Sequence, residues 1–70
     1  MVEAKKIVKN PEIVDNYEGK YLLVWDSSLV GGEYKNFEKA INILADKGWK
    51  LIQIEAMSKI NALYAVLEKP

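Results

Sequence analysis

Residues 36–57, NFEKAINILADKGWKLIQIEAM, join an amphipathic helix to a strand with almost no connecting segment. The apolar positions of the helix recur at helical spacing and are Phe37, Ala40, Ile41 and Leu44. Asn36 is suited to cap the helix N-terminus, and Gly48 is suited to end the helix in the left-handed conformation. We therefore predict a helix over 37–47 that is followed at once by a strand.

Trp49 comes directly after this stop and suggests either a ligand-binding or a structural role. In a Schellman stop, the second residue past the helix cap makes an apolar contact one turn back along the helix. Counting back from Trp49 places that contact on Leu44, with Ile43 beside it. The pattern favours a structural role for Trp49, in which it joins the helix end to the next strand, over a role in ligand binding.

Three strands are predicted around the helix. The stretches KYLLVW (20–25), WKLIQIEAM (49–57) and ALYAVLEK (62–69) are rich in the aromatic and aliphatic residues typical of strands. The short polar connection SKIN predicts that the last two strands form an antiparallel hairpin. The expected fold class is α+β with β-α-β-β order, in which one amphipathic helix packs on a three-stranded, mainly antiparallel sheet.

Residues 1–17 are expected to form a short N-terminal extension, and residues 18–70 a single domain. Asn10-Pro11 interrupts any long element in the extension and predicts a short helical turn that begins there. Two alternatives stay open for this segment: a partly ordered leader, or an arm that packs on a neighbouring molecule.

The predicted sheet has apolar side chains on both faces. We assign to the helix side Tyr21, Leu23, Trp25, Ile52, Ile54, Ala56, Leu63, Ala65 and Leu67. The opposite face then carries Leu22, Val24, Leu51, Tyr64 and Val66. An apolar patch of this kind favours association, so we take these five residues as a hypothetical oligomer interface. The alternative is that residues 1–17 fold back over the patch.

Chain length also favours association. A chain of 70 residues buries only about 60% of the surface that its unfolded form exposes, and small domains compensate with disulfides, metals or oligomers. The chain has no cysteine and no histidine, so oligomerisation and good packing are the remaining ways to stabilise the domain. We expect a homo-oligomer, most simply a dimer. The sequence has no signal-peptide pattern and no apolar run of membrane length, so a cytoplasmic location without membrane contact is expected.

The residue types present disfavour enzymatic chemistry. The chain lacks the residues needed for catalysis by cysteine, or by serine with a histidine base. We predict no catalytic residue, no cofactor and no metal site. The basic residues are all lysines and balance the acidic residues to a net charge of zero, which disfavours nucleic-acid binding. Gly31-Gly32 precedes the helix without a GxGxxG or GK[ST] pattern, so a turn is favoured over a phosphate-binding loop.

Three stretches, YLLVW, FEKAINILADKGWKLIQI and LYAVLEKP, together resemble a widespread prokaryotic family of domains of unknown function. That family has a Y-x-V-V strand, an amphipathic helix, an EGWELVSV strand and a closing strand that ends in L-K-R. The resemblance begins at Lys20, and the chain departs from the family pattern at Glu68-Lys69. It implies a helix on a sheet, but it implies no activity and no site residues.

The function expected from the sequence is that of a non-enzymatic structural or interaction module that self-associates. The alternative is a module that binds a small molecule or nucleic acid at a site on the subunit interface. The sequence identifies no particular protein partner.

Overall fold

The computed structural model describes residues 1–27, 34–57 and 61–70. Its elements in chain order are β1 (Val2–Glu3), α1 (Ala4–Lys9), a 3₁₀ helix (Pro11–Val14), β2 (Tyr21–Ser27), α2 (Phe37–Asp46), β3 (Lys50–Met57) and β4 (Ala62–Glu68). The α+β class and the β-α-β-β order of the main elements are confirmed. The predicted Gly31-Gly32 turn and most of the predicted hairpin turn, residues 58–60, lie outside the described residues.

Among the described residues, the sheet has four strands rather than the three expected, in the order β1-β2-β4-β3. The last strand of the chain, β4, lies between β2 and β3 and is antiparallel to both, which confirms the predicted hairpin of β3 and β4. The added strand, β1, pairs in parallel with β2. As a result, β1 and β3 are the two edges of the described sheet.

The end of α2 confirms the predicted Schellman stop. Gly48 has a φ of 91°, in the left-handed region that favours glycine. Its N–H donates to the carbonyl of Ala45 at 3.0 Å, and the N–H of Trp49 donates to the carbonyl of Leu44 at 3.0 Å. The Trp49 side chain is buried in the same core as Leu44, and its ring centroid lies 6.1 Å from that of Tyr17. Trp49 thus joins the helix end, the start of β3 and the N-terminal segment.

The N-terminal segment belongs to the same hydrophobic core as the rest of the chain. Ala4, Ile7 and Val14 are all at most 2% exposed, and α1 packs against α2. Ala4 and Ile7 lie three residues apart, so they share one face of α1. The division at residue 17 that the sequence suggested therefore does not correspond to a break in the core. The segment packs on the helix side of the sheet and not over the opposite face.

The predicted face assignment is wrong for β2. Leu22 lies opposite Leu67, and Val24 lies opposite Ala65. Residues directly opposite in a ladder share a face of the sheet, and all four are at most 1% exposed. Leu22 and Val24 therefore point into the core beneath the helices. The other set of β2 side chains, Tyr21, Leu23 and Trp25, lies on the side of the sheet away from the helices, which we call the far face.

The error arises because both alternating sets of β2 side chains are apolar, so hydrophobicity alone does not select the buried set. Asp26 lies on the same face as Leu22 and Val24. In the sequence, that face is therefore the more polar of the two. The structure nevertheless buries Asp26 to 7% exposure and supplies its carboxylate with backbone N–H donors. A buried carboxylate with such partners costs far less free energy than an unpaired one.

Candidate functional site

The five residues predicted to form an oligomer interface do not lie on one surface. Leu22 and Val24 are core residues, at 1% and 0% exposure, and are not accessible to a partner. Leu51 lies opposite Leu67, which places it on the helix side of the sheet and not on the far face. Only Tyr64 and Val66, the two members from β4, lie on the far face, as predicted. The five residues are therefore divided between the core and two separate surfaces.

The first surface is the far-face cluster, which consists of Leu23, Trp25, Tyr64 and Val66. Tyr64 lies opposite Trp25, and Val66 lies opposite Leu23. All four side chains are half-buried, as expected where cross-strand neighbours cover part of each other's surface. This cluster retains the two β4 members of the predicted interface.

The second surface is the outer apolar strip, which consists of Leu51, Ile52, Ile54 and Ala56 on the helix side of β3. Ile54 lies opposite the buried Ala65, which confirms the side that the sequence predicted for it. The strip is nevertheless open to solvent: Leu51, Ile52 and Ile54 are 42%, 48% and 48% exposed. The helix layer buries this face of β2 and β4 but leaves it exposed on the edge strand β3.

A register shift in the β3–β4 ladder between Leu51 and Gln53 explains how consecutive apolar residues share one side. Ile52 is the extra residue of this β-bulge and has no partner in the ladder. Gln53 lies opposite Val66 on the far face, so Ile52, its neighbour, points to the helix side. The bulge therefore adds a large aliphatic side chain to the outer apolar strip.

The other side of β3 is polar. Lys50 lies opposite Glu68, and Glu55 lies opposite Tyr64. Between them, the Nε2 of Gln53 donates to Oε1 of Glu55 at 2.9 Å. The edge strand is thus amphipathic, with the outer apolar strip on one side and Lys50, Gln53 and Glu55 on the other.

Asp26 ties the end of β2 to the beginning of α2. Its Oδ1 accepts the N–H of Ser27 at 2.9 Å, and its Oδ2 accepts the N–H of Asn36 at 3.2 Å. Asn36 is the N-cap residue, as predicted, but its own side chain makes no capping hydrogen bond. Unpaired N–H groups and the helix dipole both favour a negative charge at this position. These contacts give Asp26 a structural role.

Replacing Asp26 with alanine is expected to lower the free energy of unfolding by about 1–3 kcal/mol, because two backbone N–H groups lose their acceptor. Asp26→Asn keeps one carbonyl oxygen in place and is expected to lose less. Urea unfolding followed by circular dichroism measures both changes. An Asp26→Ala protein as stable as the wild type would contradict this role.

Residues 1–27, 34–57 and 61–70 contain no group of three or more acidic side chains that could hold a metal ion. Every buried polar side-chain atom in this part of the chain has a hydrogen-bond partner. Over the same residues, no helix has the length and apolar character that crossing a membrane requires.

The fold and the exposed surface define a small α+β domain with an amphipathic edge strand. Comparison of the chain with family models, with curated proteins and with solved structures gave no match. The resemblance to a prokaryotic domain family therefore stays a prediction from the sequence.

Proposed function

We propose that this chain is a non-enzymatic structural or interaction module that self-associates through the outer apolar strip of β3. The observation that carries the proposal is the exposure of Leu51, Ile52 and Ile54, each open to solvent over more than two-fifths of its surface. Removing such apolar surface from water stabilises a contact by roughly 25 cal/mol per Å². A second molecule that covers the strip would gain this free energy.

The outer apolar strip is a better contact surface than the far-face cluster for two reasons. Its large aliphatic side chains are exposed, whereas those of the far-face cluster are already half-buried against one another. It also lies on an edge strand, whose outward backbone N–H and C=O groups are open to pairing with another chain.

The composition supports the remaining parts of the proposal. A chain without cysteine or histidine lacks the side chains most used for nucleophilic and metal-assisted catalysis. Association also offers a small core the added stability that disulfides or metals give to other domains of this size. Absence of cysteine is in keeping with the reducing cytoplasm, which we propose as the location.

Replacing Ile54 with lysine is expected to convert the associated protein to a folded monomer, because the new charge would have to be buried without a partner. Sedimentation velocity reports the change in mass, and circular dichroism reports whether the monomer is folded. Ile13→Lys is the matched control, since Ile13 is 40% exposed and lies in the 3₁₀ helix. A variant at Ile54 that keeps the wild-type mass would contradict the proposed surface.

A further inference from the structure

β3 is an edge strand with a self-complementary order of side chains. We propose that two copies of this chain pair antiparallel along β3, about a two-fold axis at Gln53, so that their sheets join into one sheet of eight strands. This inference rests on the proposed self-association and adds the partner, the direction and the register. A two-fold contact uses the same surface on both copies, so one strand must match itself when reversed.

The order of positions along β3 follows from its pairing with β4. Lys50, Gln53 and Glu55 lie opposite Glu68, Val66 and Tyr64, all on the far face. Because of the bulge, Leu51 and Ile52 together fill one position of the helix side. Read along the strand, the positions are Lys50, the Leu51–Ile52 pair, Gln53, Ile54 and Glu55. Polar and apolar positions alternate over this whole segment.

Reversing this order about Gln53 matches every position with a suitable partner. Gln53 faces Gln53 of the other copy, and Lys50 faces the oppositely charged Glu55 on both sides of the axis. On the helix side, the Leu51–Ile52 pair faces Ile54, so the exposed aliphatic side chains cover one another. Opposite charges and aliphatic pairs directly across a ladder both stabilise a sheet.

Other registers match less well. Moving the axis by one position to Ile54 puts Glu55 opposite Gln53 and leaves Lys50 opposite Met57, so both charges lose their partners. A slip of one residue in one strand alone places the polar side of one copy against the apolar side of the other. The order of the charges therefore selects the axis at Gln53.

Two features of this edge, the bulge and Lys50, are also devices by which monomeric sheets discourage edge pairing. In β3 neither device removes the apolar surface, since the bulge adds Ile52 to the exposed strip. Lys50 lies at one end of the strand and Glu55 toward the other. Antiparallel pairing therefore places each lysine opposite a glutamate of the other copy, where the two form an ion pair instead of repelling. A contact built on one strand is small, and we expect it to dissociate on dilution.

Charge reversal tests the register. Lys50→Glu and Glu55→Lys each place like charges opposite one another twice in a dimer, and each is expected to raise the dimer Kd roughly tenfold. A mixture of the two variants restores both charge pairs and is expected to form a heterodimer at the wild-type Kd. Single variants with unchanged Kd values, or a mixture that stays as weak as its components, would overturn this register.

A single introduced cysteine tests the axis, because the native chain has none. Gln53→Cys would place two thiols opposite each other, with Cα atoms about 4.5–5.5 Å apart and within the range of a disulfide. Oxidised glutathione is therefore expected to cross-link this variant rapidly. Glu55→Cys is the matched control: its copies lie about 13 Å apart along the ladder, which is too far to bridge.

The outcomes separate this inference from the proposed function. Cross-linking of Gln53→Cys, with little cross-linking of Glu55→Cys, supports the axis at Gln53. Equal cross-linking of both variants, or a dimer in which neither cross-links, overturns the inference and leaves self-association standing. A wild-type chain that stays monomeric at all concentrations overturns both.

Discussion

Replacing Trp49 with alanine is expected to lower the free energy of unfolding by about 3–5 kcal/mol, as for other buried tryptophans. Trp49 is only 6% exposed, and its ring lies at the junction of the helix end, β3 and Tyr17. Alanine would leave a cavity where these elements meet. A loss of this size is much of the total stability of so small a domain.

Trp25→Ala is the matched control for this prediction. Trp25 is half-buried in the far-face cluster, so its removal leaves a smaller cavity, and we expect a clearly smaller loss. Urea unfolding followed by far-ultraviolet circular dichroism compares the two variants without relying on tryptophan fluorescence. A Trp49→Ala protein with near wild-type stability would contradict the structural role and favour a ligand role for this residue.

Replacing Ile7 with alanine is expected to lower the free energy of unfolding by about 2–5 kcal/mol. Ile7 is fully buried and joins Leu22 and Leu44 in the core. A loosely attached N-terminal extension would tolerate this change with almost no loss of stability.

Ile13→Ala is the control in the same segment, since Ile13 is 40% exposed and its removal leaves no internal cavity. We expect its effect to stay within about 0.5 kcal/mol, as for most surface substitutions. Thermal unfolding followed by circular dichroism ranks the two variants. Equal and small losses for both would mean that the N-terminal segment does not support the core.

Local signals in the sequence predicted the second half of the fold well. The 3.6-residue spacing of Phe37, Ala40 and Leu44 predicted α2, and all three are buried. Gly48 and Trp49 predicted the helix stop together with its hydrogen-bond pattern. Such features depend on residues within a few positions of each other, which makes them readable from sequence alone.

The N-terminal segment was harder to predict because its elements are short. β1 has two residues and α1 has six, which is too few for a periodic pattern to stand out. Ile7 is buried where α1 packs on α2. This tertiary contact leaves no local signal in the sequence.

The predicted positions of the interface residues were wrong for a related reason. An alternating pattern shows that a strand has two faces, but in β2 both faces are apolar, and the packing of the helices decides which one is buried. The exposed strip on β3 depends on strand order as well, because Ile54 would be covered if β3 lay inside the sheet. Strand order is a long-range property that the sequence did not reveal.

Sedimentation equilibrium of the wild-type chain over a wide range of concentrations tests the central claim most directly. We expect the average mass to rise with concentration from that of one 8.0 kDa chain toward that of two, because the outer apolar strip of one copy covers that of another. A mass that stays at 8.0 kDa across the whole range would contradict self-association through β3.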